Sequence, residues 1–274
     1  MSIKNEPYFI YKNDLKFTNV ENIENSEFES DVVKSLYENF KNKPKIELRI
    51  EDSKLENYKY LDLSKLKINN EYLEKIFELE RIIKILNKIE LLDLSNNILT
   101  KFPNLDKFPN IIYLNISFNL LEEEITNNNL IELTCNNNKI KSINSNNLIR
   151  LNASNNQIEF INIPNIEILI INHNKILWIP SYINLNYLEC NENKIIKIDN
   201  MLELEELYIA NNNLINISNM PKLNILNCIG NPIDKIKYFK NLKLLMSSTT
   251  KISSQYIFLK IDKIKTDYLI NFES

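Results

Sequence analysis

The 274-residue sequence holds a single glycine, Gly230, which excludes the Gly-rich loops that cradle nucleotide phosphates. Histidine is almost as scarce. With only His173, and with three cysteines (Cys135, Cys190 and Cys228) far apart in the chain, no metal-ligating spacing arises. A Ser-His-Asp or Cys-His assembly would have to be built on His173 alone. No block of one charge sign occurs either: 33 Lys and Arg are interspersed with 36 Asp and Glu, for a formal net charge of -3. That leaves no basic stripe for a phosphate backbone. No apolar run is long enough for a membrane span. The opening MSIKNEPYFIYKNDLKF interrupts its apolar residues with polar ones, where a signal peptide needs continuity. These absences predict a cytoplasmic chain with no catalytic, cofactor or metal site, and with neither nucleic acid nor membrane as partner. Sequons at Asn115, Asn152 and Asn216 come without an export signal and are read as unmodified.

What is present is an internal repeat. IELLDLSNNIL, IIYLNISFNLL, LIELTCNNNKI, LIRLNASNNQI, IEILIINHNKI, LNYLECNENKI, LEELYIANNNL, LNILNCIGNPI and LKLLMSSTTKI are nine copies of one eleven-residue pattern. The fourth position is always Leu, from Leu92 through Leu114, Leu133, Leu151, Leu169, Leu188, Leu207 and Leu226 to Leu245. The ninth is Asn in eight copies (Asn97, Asn119, Asn138, Asn156, Asn174, Asn193, Asn212 and Asn231), with Thr250 ending the series. Successive copies stand 22, 19, 18, 18, 19, 19, 19 and 19 residues apart. An earlier degenerate copy, YKYLDLSKLKI at Tyr58–Ile68, carries Leu66 where Asn is expected.

Alternation in the x-L-x-L core sends the fourth and sixth positions inward and leaves the third, fifth and seventh on an exposed face. One repeat cannot cover its own apolar edge, so neighbours stack through parallel strands. The ninth-position Asn, with both donor and acceptor, can bond the inward-facing backbone of the turn, as Leu could not. The cysteines sit at the sixth position and are read as buried, unpaired core residues. Eighteen or nineteen residues leave too few for a return helix of several turns, so extended or 3₁₀ segments are expected there. Prolines in KFPN, INIPN and LWIPSYI fit that.

The pattern resembles the leucine-rich repeat motif, L-x-x-L-x-L-x-x-N-x-L. The short repeat is similar to those of compact bacterial effectors and large-DNA-virus proteins. The resemblance implies an α/β leucine-rich repeat solenoid, right-handed, with a parallel β-sheet on the concave face, short extended or 3₁₀ convex segments and a helical N-terminal cap. The heavy Asn, Ile and Lys load is similar to that of proteins from AT-rich genomes.

Three regions are expected: an N-terminal cap over 1–57, repeats over 58–252 and a C-terminal cap over 253–274. In the first, a capping box at Ser26 and Glu29 opens a predicted helix that Pro44 stops, and Ile46, Leu48 and Ile50 alternate as a strand would. Between the degenerate copy and the first full one, Leu73, Ile76, Phe77, Ile83 and Leu86 fall on one face of a predicted helix.

On leucine-rich repeats the resemblance implies a partner on the concave sheet. Tyr113, Arg150, Ile168, Ile170, His173, Tyr187, Glu189, Glu206, Tyr208 and Ile225 are the candidate contacts there. They combine aromatic and Arg anchors with exposed apolar residues inside a polar rim. The reading is a non-catalytic protein-binding module, monomeric when unbound, of the kind a viral or microbial factor uses on a host protein. The alternative is a substrate-recognition or regulatory adaptor of a ubiquitin ligase or phosphatase complex.

Overall fold

Each copy of the repeat forms a three- or four-residue strand, and these strands line up as one parallel sheet. The computed structural model describes residues 45–248 and the backbone of 263–266. The predicted helix after Ser26 lies outside the described residues. In chain order the strands are β1 (Tyr60–Asp62), β2 (Leu91–Asp93), β3 (Tyr113–Asn115), β4 (Ile125–Thr126), β5 (Glu132–Thr134), β6 (Ser142–Asn144), β7 (Arg150–Asn152), β8 (Phe160–Asn162) and β9 (Ile168–Ile170). They continue with β10 (Trp178–Ile179), β11 (Tyr187–Glu189), β12 (Lys197–Ile198), β13 (Glu206–Tyr208), β14 (Ile225–Asn227), β15 (Leu244–Ser247) and β16 (Lys263–Thr266). The main sheet has eleven strands in the order β1-β2-β3-β5-β7-β9-β11-β13-β14-β15-β16. The return side carries the short extended sheets β4-β6-β8 and β10-β12, as the brevity of the repeat predicts.

Register follows the sequence alignment, Leu against Leu: Leu61 pairs with Leu92, Leu92 with Leu114, and so on to Leu226 with Leu245. The degenerate copy is thus a true first turn. The fourth- and sixth-position side chains are buried, including all three cysteines, which are free thiols. Burial pushes the Cys228 thiol up to about 11 and the Cys135 and Cys190 thiols higher still.

The eight ninth-position asparagines form one ladder. Asn156 is representative: its Oδ1 accepts the Ile140 N–H of the preceding turn at 3.0 Å, while its Nδ2 donates to the carbonyls of Cys135, Ala153 and Ser154 at 3.0, 3.1 and 3.3 Å. Asn97 opens the ladder by accepting from both Leu66 and Ile68, so the degenerate turn is served from its neighbour. The eighth position before each Asn adopts a left-handed backbone, with φ of 53–56° from Asn96 through Asn211 and 70° at Gly230. Gly230 takes this conformation without the strain a side chain carries, and a Cβ there would also meet Asn211 Oδ1 at 2.1 Å.

Three expectations change. Residues 45–53 are helical (α1), where alternation suggested a strand. Ile46 and Ile50 are buried and Leu48 is 50% exposed. A period-two triplet also contains an i, i+4 pair, and that pair is what packs.

The predicted helix after the degenerate copy is interrupted. Asn69 caps α2 (Asn70–Phe77) by accepting the Tyr72 N–H at 2.8 Å, but Leu79 is extended before the single turn α3 (Glu80–Ile83). The break shifts the phase, so Ile82 and Ile85 are buried and Ile83 is 55% exposed. Leu73, Ile76 and Phe77 do face the core, where Phe77 meets the ring of Phe108 edge-on at 4.9 Å.

The sheet also runs past residue 252. In β16, Ile264 pairs in register with Leu245, within the stretch expected to form the C-terminal cap.

Candidate functional site

Two rows of side chains stand on the open face of the main sheet. The third-position row runs Tyr60, Leu91, Tyr113, Glu132, Arg150, Ile168, Tyr187, Glu206, Ile225, Leu244; the fifth-position row runs Asp62, Asp93, Asn115, Thr134, Asn152, Ile170, Glu189, Tyr208, Asn227, Met246. Neighbours within a row are about 4.8 Å apart, the spacing of paired strands.

Much of the fifth-position row is occupied with holding the turn. Asp62, Asp93, Asn115, Asn152 and Asn227 each accept the N–H two residues on, from Ser64, Ser95, Ser117, Ser154 and Ile229, at 2.8 to 3.3 Å. Two consecutive turns differ. The Asn191 N–H is accepted by Asn172 Oδ1 at 2.8 Å, and the Ala210 N–H by Asn191 Oδ1 at 2.7 Å, each from the preceding repeat. The turns after Glu189 and Tyr208 are thereby capped without an Asp or Asn at the fifth position, and those two side chains stand on the open face. Neither Asn172 nor Asn191 was among the sequence-derived candidates. The signal was there: both stand at a seventh position that Ser fills in four of the aligned turns.

Glu189 and Tyr208 belong to a compact cluster on β11 and β13. Tyr187 pairs in register with Glu206, and Glu189 with Tyr208, so tyrosines and glutamates alternate like a checkerboard. The two tyrosine rings lie 5.7 Å apart at 44°. Tyr187 donates its hydroxyl to Glu189 Oε1, Tyr208 donates to Glu206 Oε2 at 2.9 Å, and Asn172 Nδ2 donates to Glu189 Oε2 at 2.9 Å. Burial and the adjoining carboxylates push the Tyr208 phenol up to about 12, and the Tyr187 phenol further. Both stay neutral donors at any physiological pH.

The other sequence-derived candidates divide. Ile168 and Ile170 flank the cluster on β9 and Ile225 on β14. All three are half-buried rather than fully exposed, because side chains on adjoining strands cover their flanks. Arg150 reaches across to Glu132, 3.8 Å away, and burial raises the Glu132 carboxyl against the pull of that guanidinium. Tyr113 lies four strands from Tyr187, outside the cluster. His173 is exposed on the left-handed turn after β9, off the face of the strand.

A second surface was not anticipated. On the return side, the twelfth position of three successive repeats holds Leu177, Ile196 and Ile215, exposed by 55%, 58% and 61%. Trp178 stands beside them with the Lys197 ammonium 5.4 Å from its ring centre. Among the described residues no group of three or more His, Cys, Asp or Glu could hold a metal ion, and no helix is long and apolar enough to cross a membrane.

No family model and no curated protein matches this sequence. Solved structures do. The leucine-rich repeat domain of APL1B superposes with a TM-score of 0.60 at 17% identity, over 91% of this chain and 75% of that one. An internalin (inlF) from Listeria monocytogenes gives 0.55 at 20% identity, over 77% and 67%. A chain of the LRIM1/APL1C complex gives 0.51 at 19% identity, over 68% of this chain and 48% of that one. The chain therefore spans only about half the length of some of the structures it matches. At these identities the likeness is one of fold, and the fold is the leucine-rich repeat.

Proposed function

With the leucine-rich repeat fold as the premise, we propose that this chain is a non-catalytic protein-binding module whose partner docks on the open, concave face of the main sheet around β9, β11 and β13. The capping of two turns by Asn172 and Asn191 carries the reading, because it lets Glu189 and Tyr208 stand where five other turns use an Asp or Asn to hold the backbone. These two join Ile168, Ile170, Tyr187 and Ile225 in a strip of aromatic and aliphatic side chains with a polar border. Such surfaces supply most of the energy of protein interfaces. That one solved likeness is a chain of the LRIM1/APL1C complex accords with this reading.

The test compares three forms of the intact chain by affinity capture and chemical crosslinking: the native sequence, Ile170→Asp with Tyr208→Ala, and Leu177→Asp with Ile196→Asp. Each is first matched for circular dichroism and urea midpoint. A partner held by the native chain and the return-side variant, but lost by the sheet variant, is the expected result. Loss only with the return-side variant would move the contact to the Leu177, Ile196 and Ile215 ridge and overturn the sheet-face reading.

A further inference from the structure

Along the two rows from β1 to β15, carboxylates outnumber cations. Asp62, Asp93, Glu132, Glu189 and Glu206 face a single arginine, Arg150. Three of the five are already answered: Asp62 by Arg49, Glu132 by Arg150, and Asp93 by the Ser95 N–H and the Asn115 amide. Glu189 and Glu206, like Asp93, meet no cation, but unlike Asp93 neither is engaged by the backbone of its own turn. Their partners are neutral hydroxyl and amide donors, and among the described residues no cation pairs with either. Two half-buried carboxylates diagonal on neighbouring strands repel one another, at a Cβ separation of about 7–8 Å. The chain spends two tyrosine hydroxyls and the Asn172 amide on fixing them in place.

The geometry points to a Lys or Arg side chain, carried on an extended segment of a protein partner, as what seats between Tyr187, Glu189, Glu206 and Tyr208. This deepens the docking reading above and rests on it. A cation at the centre of the checkerboard lies within reach of both carboxylates, while the paired rings offer their faces to an ammonium or guanidinium. Two carboxylates are too few to ligate a bare metal ion well, whereas one protonated side chain satisfies both. The flanks argue for a polypeptide rather than a free polyamine. Ile168 and Ile170 on one side and Ile225 on the other match apolar residues spaced along a strand-like peptide, and a polyamine has nothing to place on them. Because neither Tyr187 nor Tyr208 ionises below strongly alkaline pH, the site keeps its donors and its negative charge together.

The experiment selects binders from a random dodecapeptide library on the intact native chain. Selected peptides are then titrated calorimetrically against the native chain, Glu189→Gln with Glu206→Gln, and Ile170→Asp. Gln is nearly isosteric with Glu, so the first variant keeps shape and loses charge. The expected result is enrichment of peptides with Lys or Arg between apolar residues. Their affinity should fall about tenfold or more on the Gln variant and fall further as salt rises, as a charge pair requires. Replacing the peptide's Lys by norleucine should produce the same loss. Peptides weakened by Ile170→Asp but indifferent to the Gln pair would overturn the cation while leaving the docking face intact. Peptides indifferent to both variants would overturn both. Binding of spermidine in place of any basic peptide would refute the polypeptide partner.

Discussion

A single buried asparagine per turn answers for four backbone groups that water cannot reach, and that duty sets the cost of losing one. Asn156→Leu leaves the Ile140 N–H without its acceptor and strips a donor from the carbonyls of Cys135 and Ala153. Each unsatisfied buried group costs about 1–3 kcal/mol, so the expected loss is roughly 3 kcal/mol, read as a lower urea midpoint with an unchanged slope. Gly230→Ala tests the eighth position. Its left-handed φ alone costs about 1 kcal/mol, and the clash with Asn211 adds to it. In an Asn211→Ala background the side-chain clash goes, leaving the conformational part and the 3.2 Å approach to the Asn211 Cα, so the double-mutant cycle should show coupling between the two positions. The ninth-position ladder was legible in the sequence, because Asn recurs in register. The eighth-position conformation was not, since Phe118, His173 and Glu192 share it with four asparagines and one glycine, and no residue type marks the column.

On either side of the degenerate first turn, over 45–53 and 70–83, no repeat dictates structure, and short apolar patterns carry two meanings. Ile46, Leu48 and Ile50 alternate, yet the chain takes the helical reading because Ile46 and Ile50 then reach the core together and Leu48 turns outward. Leu48→Lys should accordingly shift stability by no more than about 0.5 kcal/mol, as exposed substitutions do. Ile50→Lys should cost several kcal/mol by burying an ammonium. Equal damage from the two, measured by urea denaturation, would restore the strand. In the same way Ile83 and Ile82 exchange faces because Leu79 leaves the helix. A periodicity count that assumes one continuous helix cannot see that break.

Across the whole solenoid, alkaline pH offers a common readout. The Cys228 thiol is held at about 11 and those of Cys135 and Cys190 higher, against an ordinary value of 9.0, all by burial. An acid raised in the folded state contributes its full stability below its unfolded pKa and loses it as pH climbs toward the folded one. Stability should therefore be level up to about pH 9 and fall above it, with the tyrosines Tyr60 and Tyr182, also raised by burial, steepening the decline beyond pH 10. Urea midpoints between pH 7 and 11 check the slope. At pH 8 a thiol reagent should label none of the three cysteines in the native chain and all three in urea.

At this scale the repeat spacing alone determined the stacked parallel strands, the inward leucines and cysteines, the asparagine ladder and the extended return path. Each follows from a local period that every turn repeats. Tertiary structure alone decided which side chains on the open face are free to act. That depends on hydrogen bonds between successive turns: Asn172 and Asn191 cap the turns after Glu189 and Tyr208, whereas the turn following Asn136, which shares their position in the repeat, is capped by Asn152, so residue type in the column does not by itself decide.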